Sequence, residues 1–214
     1  MSFRSVRRIS TLAAIVVVTT SCLGLRVETR FNADGSGTMV MRMVISNALL
    51  EMGEGDASFD IPLNRKDMES AFADVDGVIL VEVVVEETEE NRIITSIVDF
   101  DRFEAPLGAN DSPVDSARLR VDGETTIYSL NVGEAKMTGG DESPIGVDGL
   151  DEAMLSTIQA LLEGYSMEYL ITAPSQVIRH SHGELTEDGR SVLLVLPMAD
   201  YFALDEPYTV EVVW

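Results

Sequence analysis

The chain of 214 residues holds one cysteine, one tryptophan, two histidines and, in Lys66 and Lys136, two lysines. One cysteine forms no disulfide within the chain, so stability has to come from packing. With only His180 and His182 available, a Ser-His-Asp or Cys-His site would need one of that pair. GxSxG, GxxxxGK and a dinucleotide fingerprint after the first strand are all missing, and carboxylates are so many that no single pair is informative. The sequence therefore predicts a protein that is not an enzyme and has no cofactor. The apolar run Leu12–Val18 is seven residues long, whereas a membrane-spanning helix needs about 20.

Positive charge is scarce as well. Fifteen Lys and Arg stand against 37 Asp and Glu, a formal net charge of −22. Removing the three arginines of residues 1–21 takes that value to −25. Such a surface repels phosphate backbones and anionic headgroups, which excludes nucleic acid as a partner. It attracts a basic protein or divalent cations. The plainer account is an exported protein kept soluble by acid. A hydrophobic content of 45% is enough for a core, so disorder is not expected.

The chain opens with a basic head (Arg4, Arg7, Arg8), a short apolar core and the small residues Thr19-Thr20-Ser21 before Cys22. That is the layout of an export signal. A lone cysteine after small residues resembles the lipobox of bacterial lipoproteins, with Thr19 where a leucine is usual. The resemblance implies that residues 1–21 are removed and that Cys22 is acylated. The protein is then extracytoplasmic and anchored to a bacterial membrane through an N-terminal lipid. Residues 22–214 form one domain, with an acidic glycine-rich loop at 133–149.

Alternation predicts most of the elements. Leu25, Val27, Thr29 and Phe31 share one face of a strand. A turn follows at Asn32–Gly37, and the return strand Thr38–Ser46 aligns Met39, Met41, Met43 and Ile45. Asn64 caps a helix running to Asp74. Val78–Glu86, apolar on both faces in part, reads as a central strand, with Arg92–Phe100 returning from a charged tip. Further strands are expected at Ala117–Val121, Thr125–Val132, Met167–Thr172, Gln176–His180, Ser191–Leu196 and Tyr208–Trp214. A second helix is expected at Leu150–Glu163, with Met154, Leu155, Ile158, Leu161 and Leu162 on one side. The order predicts an α+β fold: an antiparallel sheet built of hairpins, with two helices packed on one face.

Two stretches carry a family resemblance. Cys22, then Leu25-Arg26-Val27 and Asn32-Ala33-Asp34-Gly35-Ser36-Gly37, is similar to the start of the LppM-like bacterial lipoproteins. Tyr169-Leu170-Ile171-Thr172-Ala173-Pro174-Ser175-Gln176-Val177 and Asp188-Gly189-Arg190-Ser191-Val192 resemble that family's later strand, turn and hairpin. Ser175 stands in place of the usual Gly, and Arg190 in place of Asn. The resemblance implies an α+β envelope domain with a lipid- or glycolipid-binding role and no established catalysis.

The candidate sites have duller alternatives. Met39, Met41 and Met43 fill a core, hold Cu(I), or line a cavity for an acyl chain together with Met154, Ile158 and Leu162. His180-x-His182 is half a zinc site or two exposed histidines. Asp34–Gly37 and Asp148–Glu152 resemble fragments of calcium loops without their ligand spacing. Glu86, Glu87, Glu89 and Glu90 form a solvated tip. The functional expectation is a membrane-anchored envelope lipoprotein that binds a lipid or other apolar ligand near the membrane. The alternative is an assembly module whose acidic face docks a basic envelope protein.

Overall fold

The structure, a computed structural model, describes residues 23–48, 50, 64–73, 75–103, 117–133, 164–204 and 206–214. Cys22, the expected helix at 150–163 with Met154, Ile158 and Leu162, and all of the 133–149 loop except Gly133 lie outside them.

The first hairpin forms as its alternation requires. Strand β1 (Leu23–Phe31) pairs antiparallel with β2 (Gly37–Ser46), so Leu25, Val27 and Thr29 oppose Met43, Met41 and Met39. The turn between them is closed by side-chain chemistry. Asp34 Oδ1 accepts from the Ser36 amide at 3.1 Å and the Ser36 hydroxyl at 2.6 Å, and Gly35 supplies a φ of 87°. These hydrogen bonds hold the Asp34 carboxyl below the usual aspartate range.

Around this hairpin a seven-stranded sheet assembles in the order β3-β4-β2-β1-β7-β10-β9. It adds β3 (Val78–Glu87), β4 (Asn91–Phe100), β7 (Ser166–Thr172), β9 (Glu184–Leu185) and β10 (Ser191–Pro197). The pair β1–β7 is parallel; the others are antiparallel. A second sheet runs β5 (Ala117–Asp122), β6 (Thr125–Val132), β11 (Tyr208–Val213) and β8 (Arg179–His180).

The two sheets share one core. Phe31 carries the contact between them. Its ring lies 6.0 Å from Phe100 and 5.1 Å from Phe103. It also lies 5.6 Å from Tyr128 of β6 and 5.3 Å from Trp214 at the end of β11. Tilted and edge-on packing of this kind adds to simple burial.

The expected α+β arrangement is therefore corrected: the described fold is mostly β, in two sheets. Its helices are short. Helix α1 (Arg65–Phe72) starts as the sequence predicts, with the Asn64 side chain accepting from the Asp67 amide, and buries Met68. Helix α2 (Met198–Ala203) is one short turn after β10. A hairpin-rich order fixes local pairing but not the number of sheets, and much of the apolar area reserved for helices is covered by the second sheet instead. The position of β3 is a second correction. Among the described residues it is an edge strand, not a central one, with β4 as its one strand neighbour, and its outer face is exposed. Apolar residues on both faces report the faces of a strand and say nothing of its lateral neighbours.

Candidate functional site

Met39, Met41 and Met43 lie on the inner face of β2 and are 3%, 5% and 7% exposed. They belong to the shared core, beside Val27, Ile94 and Val98. Opposite Met41 on β4 sits Ser96, whose fully buried hydroxyl has no hydrogen-bond partner among the described residues.

His180 and His182 do not form a pair of ligands. His180 is on β8 opposite Val212, while His182 follows the strand, with its ring 5.1 Å from Tyr208 and its Nδ1 3.0 Å from the Ser181 hydroxyl. Among the described residues no group of three or more His, Cys, Asp or Glu could hold a metal ion. None of the described helices is long and apolar enough to cross a membrane. The β3–β4 tip is solvated, as expected, and Asn47 holds it in place through the carbonyls of Thr88 and Glu89.

The outer face of the large sheet carries what the sequence reading missed. Arg26 and Arg30 alternate on β1, Arg42 stands opposite Arg26 on β2, and Arg190 lies before β10. Arg26, Glu28, Val40, Arg42 and Thr95 line a concavity of about 260 Å³. A second one, of about 370 Å³, lies at the far end of β1 and β7, where Arg30, Asn32, Thr172, Pro174, Asp188 and Arg190 line it. The alternation of Arg26 and Arg30 with the core positions of β1 was the available signal, but it reads as an ordinary polar face until the strands are laid side by side.

The electrostatics differ between these arginines. Arg26 donates to Glu28 at 2.7 Å and to Glu168 at 2.9 Å. Partial burial works against its charge, but the Glu28 hydrogen bond and the charges of Glu28 and Glu168 hold its pKa above the usual arginine range. Arg42 and Arg30 have no hydrogen bond or ion pair among the described residues. Arg190 donates to the carbonyls of Ala173 and Pro174 at 3.2 and 3.0 Å, which fixes the loop. Asp188 accepts from the Thr186 hydroxyl and from the amides of Arg190 and Ser191, and its carboxyl is held below the usual range. Guanidinium groups on a concave face suit a small anionic group. An acid held below the usual range stays ionised near neutral pH, where it makes a poor general acid.

No protein-family model matches the chain, and no curated protein matches it. Among solved structures the fold is similar to the folded domain of LppM from Mycobacterium tuberculosis, determined by NMR. The TM-score is 0.51 at 10% identity, over 90% of this chain and 89% of that one. At that identity the likeness is one of fold, and it agrees with the resemblance read from the two ends of the sequence.

Proposed function

We propose that this protein is a lipoprotein-like envelope protein that is acylated at Cys22, is held against a bacterial membrane by that lipid, and works by binding without catalysis. The observation that carries the reading is where β1 begins. Leu23, directly after Cys22, is the first residue of a strand flanked by β2 and β7 in the interior of the large sheet. A diacylated sulfur there would join the bilayer to the middle of the fold with no linker. Two acyl chains give stable anchoring at about 0.8 kcal/mol per buried methylene. The likeness of fold to a lipoprotein domain supports the same reading.

The start of β1 shares its end of the sheet with Ile45 and, through β2 and β4, with the β3–β4 tip. Glu87, Glu89 and Glu90 would then face the headgroups. Anionic lipid repels them, so the acyl chains hold the protein down and charge does not. Of the two binding roles, docking of a protein is favoured by the exposed apolar side chains of β3. The apolar-ligand role rests on the family resemblance of the sequence, because Met39, Met41 and Met43 are packed in the core.

Intact-mass analysis of the full chain made in a lipoprotein-competent host tests the proposal. Membrane-extracted protein should begin at Cys22 and carry acyl mass on it, and Cys22→Ser should release the protein from the membrane. A bare thiol, or attachment that survives the substitution, would overturn it. Native mass spectrometry of the same sample shows whether a lipid accompanies the folded domain, which would favour the apolar-ligand role.

A further inference from the structure

Among the described residues the two sheets have four edge strands, and the two long ones, β3 and β5, differ in character while β8 and β9 are two residues each. Among the described residues eight large apolar side chains are exposed, and four of them, Ile79, Val81, Val84 and Val85, lie on β3. Interleaved with them are Glu82, Glu86 and Glu87. Edge strands are commonly blunted by charge or by a bulge. The irregularity between Leu80 and Glu82 does so at the start of β3, but Glu82–Glu87 then runs in regular register with β4. The other long edge is β5, Ala117-Arg118-Leu119-Arg120-Val121-Asp122, which among the described residues pairs with β6 on one side only. Arg118 and Arg120 are exposed on its outer face and have no hydrogen bond or ion pair among the described residues. Val121 is 72% exposed.

The geometry points to a second copy of this chain as the occupant of the β3 edge, which β5 of that copy would extend as the next strand. Charge complementarity selects this pairing. Two β3 edges side by side would place their carboxylates in one ladder with no cation, and two β5 edges would set the two arginines of each copy against a single acid, Asp122. Against β3 in the antiparallel sense, with Arg120 opposite Glu82, Arg118 falls opposite Val84 and diagonal to both Glu82 and Glu86. On the other face Leu119 then meets Val83, and no acid stands opposite an acid. Directly opposed and diagonal cross-strand pairs are both within reach of an arginine. Because the two edges differ, the contact is head-to-tail and builds a ring of two or more copies or an open row. This goes beyond the proposed anchoring, which holds or fails independently of it.

Sedimentation of the full chain extracted in detergent tests the proposal. The wild-type mass should rise with concentration to about twofold the monomer or more. E82K/E86K alone and R118E/R120E alone should stay monomeric, and an equimolar mixture of the two should recover the wild-type association, since each supplies the edge that the other needs. Far-UV circular dichroism establishes that both are folded. Should a reversed variant misfold, the neutral changes E86Q and R118Q replace it, and each should weaken association about threefold. A wild-type monomer at every concentration overturns the proposal, even if a foreign protein binds. So does a reversed variant that associates like wild type, a folded mixture that does not recover, or neutral variants without effect.

Discussion

Arg26 and Arg42 oppose each other directly across the β1–β2 ladder, two like charges on one face of the sheet. Among the described residues only Arg26 is compensated, by Glu28 and Glu168. Like charges in that position repel. Removing Glu168, as Glu168→Gln, should cost about 1 kcal/mol in urea unfolding, because it loses a part-exposed ion pair and uncovers the repulsion. Arg42→Thr should be neutral or stabilising by a few tenths of a kcal/mol. Equal losses from both changes would show that the arginines do not sense each other.

Phe31 contacts aromatic rings in both sheets, so its truncation should loosen both together. Phe31→Ala is expected to cost about 3–5 kcal/mol. Trp214, the single tryptophan, reports on the second sheet and far-UV circular dichroism on all strands. The two signals should lose stability by the same amount and shift together. A fluorescence transition that separates from the dichroism would mean that the sheets unfold independently.

Ser96 is buried between the methionine strand and β3, and among the described residues its hydroxyl has no partner. An unsatisfied buried hydroxyl destabilises by about 1–3 kcal/mol. Ser96→Ala should therefore raise stability by about 1 kcal/mol, measured as a higher urea midpoint at unchanged slope. A loss of similar size would show that the hydroxyl is bonded in solution.

Gly37 stands where β2 begins, and a Cβ there would collide with the Arg30 carbonyl oxygen and the ring of Phe100. Both groups are fixed, one by the ladder and one by the core. Gly37→Ala should cost about 2 kcal/mol or more by thermal unfolding. A change within a few tenths would show that the two strands separate easily at that end.

Asp188 anchors the turn before β10 and is held below the ordinary aspartate pKa of about 3.9 by its hydrogen bonds. With the folded value depressed, its contribution to stability is complete above the unfolded value. That contribution is lost as pH falls through the lower folded value. An NMR titration of the carboxyl should find its midpoint below that of an ordinary aspartate, and Thr186→Val should move the midpoint upward. A midpoint at or above the ordinary value would contradict the observed hydrogen bonds.

The strands were legible because each has a clear inner and outer row. Val27, Met41 and Tyr169 all occupy the buried positions that alternation assigns, and Asn64 caps its helix as read. Lateral order was not legible. Nothing in Val78–Glu87 says that it lies at an edge, and nothing near Tyr169 says that it will lie beside Val27. Gln176–His180 shrinks to the two residues of β8, because the Val177 amide bonds to the Gly189 carbonyl of the Asp188 loop instead of to a strand. The arginine face was invisible for the same reason, since Arg26 meets Arg42, and Arg30 meets Arg190, only when separate segments are brought together.

The parallel union of β1 with β7 has a consequence in time. Arg26 meets Glu168 across 142 positions of sequence, so the first strand to be made waits for one of its flanks until most of the polypeptide has emerged. Contacts so distant form slowly. During that interval β1 would expose one raw margin at the place where Cys22 joins it, and a nascent protein fastened there to a bilayer would complete its architecture with its oldest segment already moored. The order of acylation and folding, and not only the final state, would then decide how much of each batch reaches the native form.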